Sequence, residues 1–206
     1  AHSSDLHPWF VDSRSSRDSA RRDWYVWRDA GPAGEPPNNW RAAFIDGAPA
    51  WTFDPTTGQY YLHSFLPEQP DLNWANPEMR AAMHDTLRFW LDRGVDGFRM
   101  DVIHNIGKDP ALPSVDEALA PIPHCAQNDV PVTHDYLREI RKLLDGYPGE
   151  RMAIGEVFLL STEQVGAYNG AGELIEVVFF EGTNVVAGMD RLTIAPGRLT
   201  AHPPNT

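Results

Sequence analysis

The chain contains a single cysteine, Cys125, among 206 residues. That excludes an internal disulfide framework and any zinc site built from several cysteines. Basic residues are also scarce. Lys and Arg number 17 against 29 Asp and Glu, a formal net charge of -12. A nucleic-acid partner calls for a basic face to neutralise phosphate, so that class is excluded. No apolar run approaches the ~20 residues of a membrane-spanning helix, so no membrane partner is expected. There is no tandem repeat, no low-complexity tract, no phosphate loop and no Gly-x-Ser-x-Gly elbow. Gly170-Ala171-Gly172 lacks the third glycine of a dinucleotide loop. His104, His124, Cys125 and His134 match no ligand spacing, so neither a metal nor a cofactor is expected. The sequence opens on Ala1-His2-Ser3 without an initiator Met. It is expected to begin inside a longer one, and the missing signal peptide is then uninformative. The working expectation is a cytoplasmic protein.

What is present is apolar and aromatic: 42% hydrophobic residues, with seven Trp. That suffices for a sizeable core. Residues 1–50 read as irregular, with Trp9, Trp24, Trp27 and Trp40 set among Pro, Gly, Asp and Arg. The aromatics read individually as core residues, with sugar stacking as the alternative. The Arg-rich stretch from Arg14 to Asp29 is balanced by Asp12, Asp18, Asp23 and Asp29, and reads as a solvated, salt-bridged loop. Trp51-Thr52-Phe53 and Gln59 to Phe65 flank turn residues Asp54 to Gly58, a hairpin pattern.

The second half alternates regularly. Asn76 caps a helix that Pro77 opens, with Met79, Ala82, Met83, Thr86, Leu87, Trp90 and Leu91 on one face. Val95 to Val102 reads as a strand, and Thr133 to Leu144 as a helix. Arg151 to Val157 is the next strand. Ser161 and Gln164 suggest a capping box, and Leu174 to Phe180 a third strand. Such alternation implies an α/β fold with a parallel sheet, as an open sheet or a barrel.

Parallel α/β folds place their sites beyond the carboxyl ends of the strands. Two acids stand there: Asp101, after Gly97-Phe98-Arg99-Met100, and Glu156, after Ala153-Ile154-Gly155. Arg99 shares a strand face with Asp101 and favours its ionised, nucleophilic form. Gly97 lies on that face too and should leave space there. Glu156 has no cation beside it in sequence, and an apolar setting would raise its pKa toward that of a general acid. Two carboxyls with divergent environments suit glycoside hydrolysis. An ordinary strand-end salt bridge beside a surface Glu gives the same spacing.

Several blocks together carry a resemblance. They are His2-Ser3-Ser4-Asp5 with His7-Pro8-Trp9-Phe10, Asp23-Trp24-Tyr25, Asn38-Asn39-Trp40, Gln69-Pro70-Asp71-Leu72-Asn73, Gly97 to Asp101, and Gly155-Glu156-Val157. In this order they resemble glycoside hydrolase family 13, the α-amylase family, and within it the α-glucosidase and oligo-1,6-glucosidase group. The resemblance covers about residues 2–173.

It implies a fragment of a (β/α)8 TIM barrel with an irregular small domain inserted after the third strand. Residues 1–69 would be that insert, 70–182 the central barrel from the fourth to the sixth strand, and 183–206 a divergent tail. It implies Asp101 as nucleophile and Glu156 as acid/base, acting on a small α-glucoside or oligosaccharide. It implies Arg99 as orienter of Asp101, and His2 and Phe44 as glucose contacts. Val102 resembles the residue that accompanies α-1,6 preference. After Gly172 the match fades, and no Asn-His-Asp motif follows. The isolated chain is therefore expected to be inactive. Rivals are a glucosyl-transferring relative and a non-catalytic family member.

Overall fold

The computed structural model describes residues 1–120, 129–159, 162–168, 177–180, 191–195 and 198–202. The chain divides into two compact units, Ala1–Ala82 with Lys108–Gln127, and Met83–Gly107 with Asn128–Thr206.

The first unit is less irregular than its composition suggests. A helix, α1 (Pro8–Ser15), opens it. His7 Nδ1 accepts the Trp9 N–H at 3.2 Å, and Pro8 takes the first helical position, where its missing donor costs nothing. Only Phe10 and Ser13 of this helix are buried, so no apolar periodicity announces it. A single 3-10 turn, Arg22–Trp24, follows.

Three short strands form an antiparallel sheet in the order β1 (Trp27–Arg28), β3 (Gln59–Leu62), β2 (Trp51–Asp54). The hairpin joining β2 to β3 is fixed by Asp54, whose Oδ2 accepts from Thr57 N–H at 3.1 Å and from its hydroxyl at 2.8 Å. Gly58 closes the turn at φ 67°.

The aromatics are core. Phe10 is fully buried, stacks on Trp27 with centroids 5.7 Å apart, and meets Tyr25 and Tyr61 edge-on. Burial lifts the Tyr25 phenol to about 12, with a hydrogen bond to Ser3 opposing. Trp40, Trp51, Leu62 and Leu112 pack in a second cluster. Segment 108–120 is laced to it by Asn38 Nδ2 to Leu112 O at 3.0 Å and Trp40 Nε1 to Pro113 O at 2.8 Å.

The Arg-rich stretch departs from a solvated loop at Tyr25, Val26 and Trp27, which are buried, and at one of its arginines. Arg14, Arg17 and Arg21 do pair with Asp54, Asp29 and Asp12. Arg22, however, is buried. Its guanidinium lies 3.5 Å from the centroid of the Trp27 ring and donates to Ser13 O at 2.9 Å. The flat cation is stabilised by the ring face and the carbonyl, so it fits where a lysine would not.

In the second unit, β4 (Gly97–Met100), β5 (Met152–Val157) and β6 (Val177–Phe180) form a parallel sheet in that order. Helices α2 (Pro77–Leu91), α3 (Val132–Asp145) and α4 (Thr162–Tyr168) alternate with these strands along the chain. Asn76 Oδ1 caps α2, accepting from Glu78 N–H at 2.9 Å and Met79 N–H at 3.0 Å. Of its expected apolar face, Met79 and Leu91 are buried, whereas Thr86 and Trp90 are exposed. On α3 the expected face of Leu137, Ile140, Leu143 and Leu144 is buried except at Leu143, which is half-buried, and Tyr136 is buried as well.

Ser161 and residues 174–176 of the sequence expectations lie outside the described residues. Within the expected tail, β7 (Arg191–Ala195) and β8 (Arg198–His202) pair antiparallel.

Candidate active site

The parallel register sets the site. Met100 of β4 lies opposite Gly155 of β5, so the next residues, Asp101 and Glu156, fall side by side at the carboxyl ends. β4 ends at Met100, earlier than the expected Val102, because the chain turns sharply there. Val102 has φ 45° and ψ 48°, left-handed values that a β-branched residue rarely adopts. The turn carries Asp101 off the sheet and leads into a buried 3-10 segment, Ile103–Asn105.

One guanidinium organises the acids. Arg99 donates through Nη1 to Asp101 Oδ1, and through Nη2 to Glu156 Oε2 at 2.6 Å. The bond to Asp101, together with the charge of both carboxylates, holds Arg99 above its ordinary value against some desolvation. Glu156 Oε2 also accepts the Val102 N–H at 3.3 Å. The two acids differ in exposure: 42% of the Asp101 side chain is open to solvent, but only 13% of Glu156.

Two expectations are corrected here. Glu156 was expected to have an apolar setting with no cation beside it. The register brings Arg99 to it from the neighbouring strand, a contact invisible in a linear reading. Gly97 was expected to leave space. Instead β5 fills it, since a Cβ at Gly97 would come within 2.4 Å of Met152 O. The glycine permits close approach of the two strands.

His2 and Phe44 lie in the first unit, and both meet Phe65. Its ring is 5.3 Å from His2 edge-on and 5.5 Å from Phe44. Gln69 Nε2 and His2 Nε2 lie 3.0 Å apart, within hydrogen-bond distance. Phe44 is 82% exposed with φ 67°. It borders a cavity of about 540 Å³ lined also by Arg41, Asp46 and Glu117.

Phe65 and Gln69 were not singled out from sequence. Gln69 belongs to the Gln69-Pro70-Asp71-Leu72-Asn73 motif, and its contact with His2 spans 67 positions. Among the described residues, no group of three or more His, Cys, Asp or Glu could hold a metal ion. No described helix is long and apolar enough to cross a membrane.

A parallel α/β sheet with paired acids at its carboxyl edge has the site placement common to open-sheet and barrel α/β enzymes. The model of the α-amylase catalytic domain matches residues 1–190. The chain belongs to the α-amylase family of glycoside hydrolases, in its α-glucosidase and oligo-1,6-glucosidase group.

A probable α-glucosidase of Rhizobium meliloti is 41% identical over 97% of this chain and 37% of its own length. An oligo-1,6-glucosidase of Halalkalibacterium halodurans is 42% identical over 91% of this chain and 34% of its own. Among solved structures, a mutant of the trehalulose synthase MutB superposes with a TM-score of 0.80. It is 38% identical, over 87% of this chain and 32% of that one. The chain thus spans about a third of the length of the relatives it matches.

Proposed function

We propose that this sequence carries the reacting carboxylates of a retaining α-glucosidase acting on terminal bonds of short α-glucosides. Asp101 attacks the anomeric carbon and forms a covalent glucosyl ester, while Glu156 protonates the departing oxygen. Glu156 then takes a proton from water, which displaces Asp101 and releases α-glucose. Residues 1–69 serve as the inserted small domain, and His2 and Phe44 contact the glucose.

The observation that carries this reading is the shared guanidinium. Acids held on two nitrogens of one Arg99 are close neighbours. That suits the ~5 Å separation of retaining enzymes better than the wider gap that admits a water between the acids. Exposure supports the division of labour: the open Asp101 can reach a sugar carbon, and the more enclosed Glu156 sits beside it on the same guanidinium.

The anomeric form of the first product tests the reading. Proton NMR of isomaltose hydrolysis by the enzyme, expressed from its full coding sequence, should show α-glucose before mutarotation. Initial β-glucose overturns it. Similarity to a trehalulose synthase favours a second reading, in which a sugar hydroxyl replaces water as acceptor. Chromatography after incubation with sucrose separates the two, because transfer yields a new disaccharide and hydrolysis yields monosaccharides.

A further inference from the structure

The first unit contains a buried ion pair that the reaction above does not use. Asp71 and Lys108 approach to 3.1 Å, with side chains 0% and 10% exposed. Burial opposes the Asp71 charge, yet Lys108 and Ser64 hold that carboxyl below its ordinary range. Burial pushes the Lys108 ammonium down, with Asp71 opposing. Such a pair adds little net stability over apolar residues of the same volume. Stability alone therefore does not explain it.

Its surroundings do. Asp71 Oδ1 accepts the Ser64 N–H at 2.8 Å, and Oδ2 accepts the Ser64 hydroxyl at 2.5 Å. Ser64 immediately precedes Phe65. The backbone of Asp71 bridges antiparallel to His2, between Ser3 N–H to Pro70 O at 3.2 Å and Leu72 N–H to Ala1 O at 3.0 Å. Gln69, two residues before Asp71, reaches the His2 ring. Asp71 thus joins these segments in two ways: its carboxylate holds Ser64, next to Phe65, and the backbone on either side of it bonds the segment that carries His2, while Lys108 supplies the counter-charge that lets the carboxylate stay ionised.

We propose that Asp71 and Lys108 are positioning residues, a buried ionic clasp that fixes His2, Phe65 and Gln69 as one rigid edge for glucose. The proposal rests on the reading of His2 as a glucose contact. A loosened edge would weaken ground-state binding more than the chemical step, because no reacting atom belongs to it.

The test is the isomaltose kinetics of the full-length enzyme. Asp71→Asn alone strands a buried ammonium and should melt far below wild type. The informative variant removes both charges, Asp71→Leu with Lys108→Met. It should fold with a cooperative melt, raise KM about tenfold and leave kcat within about threefold. A double variant with wild-type KM overturns the proposal. So does one that fails to fold, since the pair would then act on stability. His2→Ala separates the two layers. If it raises KM while the double variant does not, the clasp alone fails. If it leaves KM unchanged, the glucose-contact reading falls, and the clasp with it.

Discussion

The two units treat charge in opposite ways. In the first, Asp54 and Asp71 are fully buried and Arg22 nearly so, each enclosed by fixed partners. In the second, Arg99 and Asp101 stand about half open at the ends of a parallel sheet. A buried carboxylate with both oxygens bonded to fixed partners is committed to the fold. A carboxylate at an open strand end, held by one guanidinium, keeps room for a substrate. The difference separates acids that hold the fold from acids that can react. Substitution should separate them in the same way.

The largest effect is expected at Asp101. Asp101→Asn keeps the shape and removes the nucleophilic charge, so kcat/KM for isomaltose should fall by about 10⁴-fold or more. Thermal melting should move little, since the side chain is exposed. A variant that keeps a tenth of wild-type turnover would break the comparison.

Arg99→Lys comes next. An ammonium is a point charge and cannot present two fixed nitrogens to two acids at once. Loss of that fork should lower kcat about 10- to 100-fold, with a smaller change in KM. The kcat–pH profile is the sharper readout. If one cation sets the charge of both acids, one limb of the profile should shift; an unchanged profile would show that the two acids titrate independently of Arg99.

Asp54→Asn probes the other unit. Asp54 binds Arg14 at 2.8 Å and caps the hairpin turn through Thr57. Burial opposes its charge, but Arg14 and Thr57 together lower its pKa below the ordinary value. Its contribution is therefore present above the unfolded carboxylate pKa of about 3.9 and is lost as pH falls through the folded value. The cost at neutral pH should be about 1–2 kcal/mol, discounted because Arg14 is partly exposed. Denaturant melts at pH 7 and pH 3 should show the variant's deficit shrinking in acid. A deficit equal at both values would remove Asp54 from the set of charged structural acids.

How much of this was legible follows the same division. The parallel sheet was readable because alternation of helix and strand is local, and Asp101 and Glu156 sit at strand ends that any linear reading can mark. Asn76 and Pro77 announced α2 by themselves. The bridge from Arg99 to Glu156 was hidden, because it depends on which residues of β4 and β5 lie opposite one another. In the first unit, α1 escaped because only two of its residues are buried, and Arg22 looked like one solvated arginine among several. Its burial depends on Trp27 and on the Ser13 carbonyl, partners that composition does not reveal. The roles of Phe65 and Gln69 likewise depend on contacts with His2 across more than sixty positions.

The smallest effect is expected where the open acids meet a strained backbone. Val102 follows Asp101, adopts left-handed angles and offers its N–H to Glu156. Its side chain is buried, so it can act on bond preference only through a small change in local shape or polarity. Val102→Thr keeps the branch and exchanges a methyl for a hydroxyl, which must find a hydrogen-bond partner in that setting. The amide that faces Glu156 is untouched. The ratio of kcat/KM for maltose over isomaltose should therefore rise, but by less than about tenfold, since one methyl-sized change in a pocket is worth only a few kcal/mol at most. Absolute kcat on an activated aryl α-glucoside should hold, because the leaving group there needs little help from Glu156. A fall on the aryl substrate as large as that on isomaltose would mean that the substitution disturbs Asp101 itself, and that the turn at Val102 belongs to the nucleophile rather than to bond selection.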